Sequence, residues 1–295
     1  MADQGAVAPP TSEAAPLTTD RVPPTSEAAP PTTDWVPPTG EAALRTTDRL
    51  PASADGVAPA FYAAGSGGWR DWWLLLHPPY TAWHLSYVVI GACLAPFVNT
   101  TRLVATLLGF FFAVGIAAHA LDELNGRPLR TRLRSGYLLT AAVVGLAAAV
   151  ALGVIGVTKT GWVLVPFIVV GPLVLIAYNA ELFGGIVHND AGFAAAWGAF
   201  SVLTAYVAQA ETLALAPVLA ALGAFALSLA QRRLSTPARA LRRRSQHVEG
   251  TVTAVSGEVD RIDRAYLLAP LEGALRALAW STVLFATALA IARLA

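Results

Sequence analysis

The sequence predicts an all-α protein: a polytopic bundle of about seven transmembrane helices that follows a disordered N-terminal tail. Only 13% of the 295 residues are charged and the mean hydropathy is +0.55, which is typical of membrane proteins. Seven apolar runs each approach the roughly 20 residues that a helix needs to cross a bilayer. Residues 1–68 instead carry Pro, Thr, Ala and acidic side chains, which bury too little apolar surface to offset the entropy lost on ordering.

The tail is built from repeats. Residues Pro9–Ala15 recur at Pro23–Ala29 and, in modified form, at Pro37–Ala43, and a Thr-Thr-Asp triplet follows each copy. Because the paired prolines exclude a helix, we interpret residues 1–68 as a disordered tether or spacer.

The transmembrane domain is predicted to cover residues 69–295. Clustered Trp beside charged residues at Trp69–Trp73 indicates a short helix at the lipid–water interface, which ends at His77–Tyr80. The predicted spans are then residues 83–98, 103–121, 136–157, 160–178, 191–209, 213–231 and 273–292.

Arginine placement predicts the orientation of these spans. Four arginines lie between the second and third spans, and eight lie in a predicted basic loop at residues 232–264. Seven spans place both segments and the tail on one side, which the positive-inside rule makes cytoplasmic. We therefore expect a protein of the plasma or inner membrane whose partner is the lipid bilayer. The net charge of +1 gives no global field that would favour nucleic acid.

A first polar cluster stands at the end of the second predicted span. His119, Asp122 and Glu123 share one helical face, just before a natural helix stop at Asn125–Gly126. Ionisable groups at the mouth of a membrane helix cost free energy unless they bind something. We therefore expect a site that handles a metal or an anion. Carboxylate oxygens suit Mg²⁺, and imidazoles also suit Zn²⁺ or Fe²⁺.

A second polar cluster lies at the same predicted face, where the fourth span ends and the fifth begins. Polar loops from two hairpins that converge at one end of a helical bundle can form a pocket. The alternative is that these residues are solvated helix ends, with Asp190 as an N-cap. The candidate binding residues of this cluster are Asn179, Glu181, His188 and Asp190.

These clusters resemble motifs of the UbiA-type superfamily of membrane prenyltransferases. Members of that family have an Asp-rich motif, Asn-Asp-x-x-Asp, after the second helix, followed by an Arg-Pro loop. Here His119–Glu123 and Arg127–Thr131 are similar to those two elements. A later series in this chain also resembles the family, and it comprises Tyr178, Asn189–Asp190, Gly198, Tyr206 and Gln209. The family's second Asp-rich motif is replaced, because Gln231–Pro237 contains two arginines and no acid.

The resemblance implies a divergent, UbiA-like prenyltransferase-type enzyme that acts on an isoprenoid diphosphate or related lipid. Asp122 and Glu123 would hold Mg²⁺ against the diphosphate, and His119 would be a further ligand or a base. Arg127 and Arg130 would pair with phosphate, and the arginines that replace the second motif could hold it directly.

Two other functions stay open. The first is a non-catalytic bundle that binds lipid or isoprenoid. The second is a small-solute transporter in which His119 and Asp122 relay protons. The acids lie at a span end, whereas transporter sites usually lie near the midplane, which argues against transport.

Overall fold

The computed structural model describes residues 58–63 and 67–295. The repeats of the predicted tail lie outside the described residues. Residues 58–63 belong to the predicted tail, yet they pack on the helical domain, where Ala60 is buried against Leu74 and Leu129. The folded part of the chain therefore starts before the Trp-rich helix.

The described chain forms long helices and one antiparallel hairpin. Short 3₁₀ turns at Trp162–Leu164 and Leu182–Gly185 join helices. In chain order the elements are α1 (Trp69–Leu75), α2 (Pro78–Cys93), α3 (Thr100–Leu124), α4 (Ser135–Thr160), α5 (Val165–Asn179), α6 (Asp190–Ala210), α7 (Leu215–Arg243), β1 (Glu249–Thr253), β2 (Val259–Asp263) and α8 (Arg264–Leu294).

Six helical segments of the described chain are long and apolar enough to cross a membrane: α3, α4, α5 with its preceding 3₁₀ turn, α6, α7 and α8. They indicate an integral membrane protein. The sequence predicts seven spans, and the difference is the predicted span at residues 83–98. The helix found there, α2, has 16 residues and is roughly 24 Å long, so it is shorter than these six, although it packs along α6 and α8.

Helix α2 is apolar because protein surrounds it. Trp83, Tyr87 and Val88 are at most 1% exposed, and α2 packs between α6 and α8 at the centre of the bundle. Gly91 allows the close approach to α6, since a Cβ atom there would lie 2.2 Å from the Val202 carbonyl oxygen. Hydropathy does not distinguish burial in protein from burial in lipid, so the seventh apolar run of the sequence corresponds to a helix that neighbouring helices bury.

The prediction of a basic loop at residues 232–264 is also wrong in its first part. Helix α7 continues through these residues to Arg243, even though Pro237 removes one backbone donor from it. The hairpin of β1 and β2 follows, and the Asp263 side chain caps α8 by accepting a hydrogen bond from the Tyr266 amide at 2.7 Å. The arginines are therefore held on a helix.

Two helices change to π-helical geometry beside the same end of the bundle. In α3 the π segment is Phe111–Ala118, immediately before His119. In α6 it is Ala194–Ala199, which contains Trp197. Such segments are often found at functional sites, because the extra residue per turn redirects the side chains that follow.

At the opposite end of the bundle, polar side chains join the helices through hydrogen bonds and an ion pair. The Gln209 amide accepts a hydrogen bond from the Asn99 backbone N–H at 2.8 Å and donates one to its carbonyl at 3.2 Å. Arg102 forms an ion pair with Glu211 at 2.7 Å. Gln209, part of the motif series that resembles the prenyltransferases, is thus a structural residue in this fold.

Candidate functional site

A cavity of about 130 Å³, lined by many ionisable side chains, lies where α2 begins and α3 ends. At about 30 Å³ for each water, it has space for roughly four water molecules. Helices α2, α3, α6, α7 and α8 and residues 58–63 all contribute to its wall. The ionisable residues that line it are His77, His84, His119, His188, Arg232, Arg239, Arg242, Arg243, Asp122, Glu272, Tyr62, Tyr80 and Tyr178.

Helix α7 supplies four arginines to this cavity. Two of them pair with carboxylates: Arg232 with Asp190 at 2.9 Å, and Arg242 with the buried Glu272 through two hydrogen bonds. The other two, Arg239 and Arg243, bond neutral oxygens. Arg239 donates to Thr236 Oγ1 at 3.3 Å, and Arg243 donates to the Pro59 carbonyl at 3.2 Å.

The charge balance of the cavity favours an anionic ligand. Asp122 interacts electrostatically with both Arg239 and Arg243, so one carboxylate faces two guanidinium groups. Guanidinium groups are also planar, permanently charged donors that match the geometry of phosphate oxygens. The sequence placed these arginines in a loop, but it did point to their capacity to hold a diphosphate.

The two acids of the first predicted cluster have different surroundings in the structure. His119 and Asp122 line the cavity, as the helical spacing predicts. Glu123 is fully buried outside it and accepts hydrogen bonds from the backbone N–H groups of Leu129 (2.9 Å) and Thr131 (2.8 Å), and from the Thr131 hydroxyl (2.8 Å). The geometry therefore gives Glu123 a structural role: it fixes the loop between α3 and α4.

The two predicted phosphate ligands of that loop are not among the residues that line the cavity. Arg127 donates to the Leu133 carbonyl and to Ser135 Oγ, so it stabilises its own loop. Arg130 is exposed, and both arginines adopt positive φ angles that arise from the tight turn. The arginines that replace them at the cavity are those of α7.

The second predicted cluster contributes half of its members to the cavity. Asn179 and His188 line it, and the His188 ring stacks on Tyr178 with ring centroids 4.5 Å apart. Glu181 is exposed and accepts a hydrogen bond from Asn125 at 3.2 Å. Asp190 acts indirectly by holding Arg232, and the N-cap of α6 is its neighbour Asn189, which accepts from the Gly192 amide.

Residues 58–63 add a wall that the sequence reading missed, because they belong to the predicted tail. The Tyr62 hydroxyl and His77 Nδ1 share a hydrogen bond, and the His77 ring packs on His119 with centroids 4.4 Å apart. Burial raises the pKa of Tyr62 and lowers that of His77 well below its usual value. At neutral pH the pair therefore consists of a protonated phenol and an uncharged imidazole.

Among the described residues, no group of three or more His, Cys, Asp or Glu is placed to hold a metal ion. Of the two acids that line the cavity, Glu272 is engaged by Arg242 and Asp122 faces two arginines. The described residues therefore offer Asp122 as a carboxylate ligand for Mg²⁺, and such an ion would take its other ligands from water and from phosphate oxygens.

A second cavity, apolar and about 570 Å³ in volume, lies among helices α3, α4, α5 and α6. Its wall is formed mostly by Ala, Gly, Val, Leu, Ile and Phe side chains. Trp197 lines both cavities, so the apolar space lies directly beside the arginine-rich one. A polar and an apolar compartment that share a wall are suited to an amphiphilic ligand.

No family model, curated protein or solved structure matches this chain. The resemblance to UbiA-type prenyltransferases therefore stays a prediction that rests on its motifs. Function has to be inferred from the chemistry of the two cavities.

Proposed function

We propose that this membrane protein binds an isoprenoid diphosphate or a related lipid phosphate, as a divergent prenyltransferase-type enzyme. The observation that carries the proposal is the arginine-rich cavity beside a larger apolar one, with Trp197 between them. The anionic group would lie against Arg239 and Arg243, and the hydrocarbon chain would occupy the apolar cavity. A non-catalytic binder of the same ligand is the alternative, and it uses the same two cavities.

The arginines support a site in which cationic side chains take the place of metal. In prenyl transfer the allylic C–O bond breaks, its electron pair leaves with the diphosphate, and an acceptor forms the new bond to carbon. Guanidinium groups that are already in position would stabilise the charge that develops on the leaving group. The same donors would hold the diphosphate in the ground state, so binding can be tested without knowledge of the acceptor.

Asp122 distinguishes an arginine site from a metal site. In an arginine site its carboxylate repels the diphosphate, so Asp122→Asn should bind geranylgeranyl diphosphate more tightly, by roughly fivefold. The measurement is equilibrium binding to purified full-length protein in detergent, once with Mg²⁺ and once with EDTA. We expect wild type to bind under both conditions.

The contrary result would restore the metal interpretation. Binding that requires Mg²⁺ and disappears in Asp122→Asn or in the double variant Asp122→Asn/Glu123→Gln would show that the acids hold a cation. No binding under either condition would eliminate the diphosphate ligand altogether.

We also propose that the arginine-rich end of the bundle faces the cytoplasm. The loop between α3 and α4 and the end of α7 are separated by the four spans α4 to α7, which places them on one side, and both are rich in arginine. A cysteine at the exposed Ser256, in a Cys93→Ser background, should react with an impermeant maleimide only in inside-out vesicles. Labelling in right-side-out vesicles would reverse the orientation.

A further inference from the structure

The floor of the arginine-rich cavity contains two buried polar atoms without a hydrogen-bond partner among the described residues. They are His84 Nδ1 on α2 and Gln231 Oε1 on α7. The two residues are only 6% and 7% exposed, and both line the cavity. Buried polar atoms are nearly always hydrogen-bonded, because leaving one unpaired forfeits its interactions with water. These two atoms therefore point to a ligand group that binds between α2 and α7.

This pair lies well below Arg239 and Arg243, whereas Arg232 is the neighbour of Gln231 on α7. Gln231 precedes Arg239 by eight residues on α7, which is roughly 12 Å along the helix axis. His84 follows His77 by seven residues on α2, or roughly 10 Å. The cavity thus has an anion-binding mouth and, about 10 Å deeper, a second polar position at the floor.

The chemistry of the floor selects a group that donates hydrogen bonds. Gln231 Oε1 is a carbonyl oxygen and only accepts, and His84 bonds the Trp197 backbone through its other ring nitrogen, which leaves Nδ1 of the neutral ring as an acceptor. An anion without a proton cannot donate to either atom, and a hydrocarbon would leave both unpaired. A hydroxyl group donates to one of these two acceptors, and a second hydroxyl or a water can donate to the other.

We propose that His84 and Gln231 form a hydroxyl-binding subsite for a ligand whose phosphate lies against Arg239 and Arg243. The inference rests on the proposed function, because the bound phosphate fixes how far from the arginines the hydroxyl group must lie. The hydroxyl belongs either to the phosphate-bearing molecule itself or to a second molecule that binds beside it. Phe193 and Trp197, whose rings stack with centroids 5.4 Å apart, would supply the apolar wall between the two positions.

Two matched series of probes test this subsite. Linear alkyl phosphates with four to ten carbons are compared with the same compounds that carry a terminal hydroxyl, by equilibrium binding to the full-length protein. One added hydrogen bond should raise affinity about fivefold, and only at the chain length that reaches the floor. A further arm adds 1-butanol to the short alkyl phosphates, since an effect there would show that the hydroxyl comes from a second molecule.

Variants identify the residues. Gln231→Met keeps the size of the side chain and should abolish the hydroxyl advantage, measured as the ratio of the affinities for the hydroxylated and the plain alkyl phosphate in the same variant. His84→Phe should reduce the same advantage and serves as an independent variant. Gln209→Met is the matched control, because this second buried glutamine lies at the opposite end of the bundle and should leave the advantage intact.

The outcomes separate this inference from the proposed function. If alkyl phosphates bind but a hydroxyl gives no gain at any length, alone or as butanol, the floor holds only water and the subsite is wrong while the phosphate site stands. A hydroxyl gain that survives in Gln231→Met and His84→Phe would also overturn it. If neither series binds, both proposals fail.

Discussion

Replacing Glu123 with alanine is expected to destabilise the domain by about 3–5 kcal/mol. The carboxylate is fully buried and accepts three hydrogen bonds, two from backbone N–H groups and one from the Thr131 hydroxyl. Truncation would leave these donors unpaired inside the protein, in the loop that joins α3 to α4. The midpoint of thermal or denaturant unfolding in detergent measures the effect.

A matched variant shows whether the loss of stability comes from the burial of the glutamate or from its charge. Glu181→Ala removes an exposed carboxylate near the same end of the bundle, and its unfolding midpoint should stay close to that of wild type. Glu123→Gln should lie between the two, because its NH₂ group would face one of the donors. An unchanged midpoint in Glu123→Gln together with the loss of Mg²⁺-dependent ligand binding would contradict the structural role and favour the predicted metal site.

The contrast between Asp122 and Glu123 shows how far helical spacing can be used. Adjacent residues on a helix point about 100° apart, so a face defined by three residues is broad. His119 and Asp122 reach the cavity, whereas Glu123 turns towards the loop backbone. The sequence shows where the ionisable groups are concentrated, but the path of the following loop decides which of them is available for a ligand.

The helices could be predicted from the sequence because an apolar run of about 20 residues that crosses a membrane must pair its own backbone polar groups, as a helix does. The predicted centres of the six spanning helices are confirmed. The 16-residue α2 is shorter than these six and is buried by protein, which selects the same apolar side chains as burial in lipid. The extension of α7 was missed because its arginines indicate an aqueous surface, although Arg239 and Gln231 face a cavity that depends on neighbouring helices.

Residues 58–63 show a different limit. The adjacent Phe61 and Tyr62 set them apart from the Pro-, Thr- and acid-rich repeats, but no periodic pattern assigns them to a helix or strand. They are placed by long-range partners: the Arg242 and Arg243 side chains bond the carbonyls of Ala58 and Pro59, and Tyr62 bonds His77. Contacts over such sequence separations leave no local signal, which is why Tyr62 could be found only in the structure.

The double substitution Arg239→Gln/Arg243→Gln is expected to weaken the binding of geranylgeranyl diphosphate by roughly two to four orders of magnitude. Each guanidinium that bonds phosphate contributes about 1.5–3 kcal/mol, and every 1.4 kcal/mol corresponds to a tenfold change in affinity. Glutamine keeps hydrogen-bonding capacity and most of the side-chain length, so the loss reports the charge. Equilibrium binding in EDTA is the measurement, since it excludes any contribution from a divalent metal.

Arg233→Gln provides the control on the same helix. Its side chain is 82% exposed and does not line the cavity, so the substitution removes one positive charge from α7, half of the charge removed by the double variant, without removing a phosphate ligand. If the cavity arginines hold the diphosphate, Arg233→Gln should bind nearly as wild type does, with a small difference that added salt removes. Equal losses in Arg233→Gln and in the double variant would mean that the helix attracts the ligand by its overall charge. In that case the cavity would not be a specific diphosphate site, and the apolar cavity beside it would have to account for any remaining affinity.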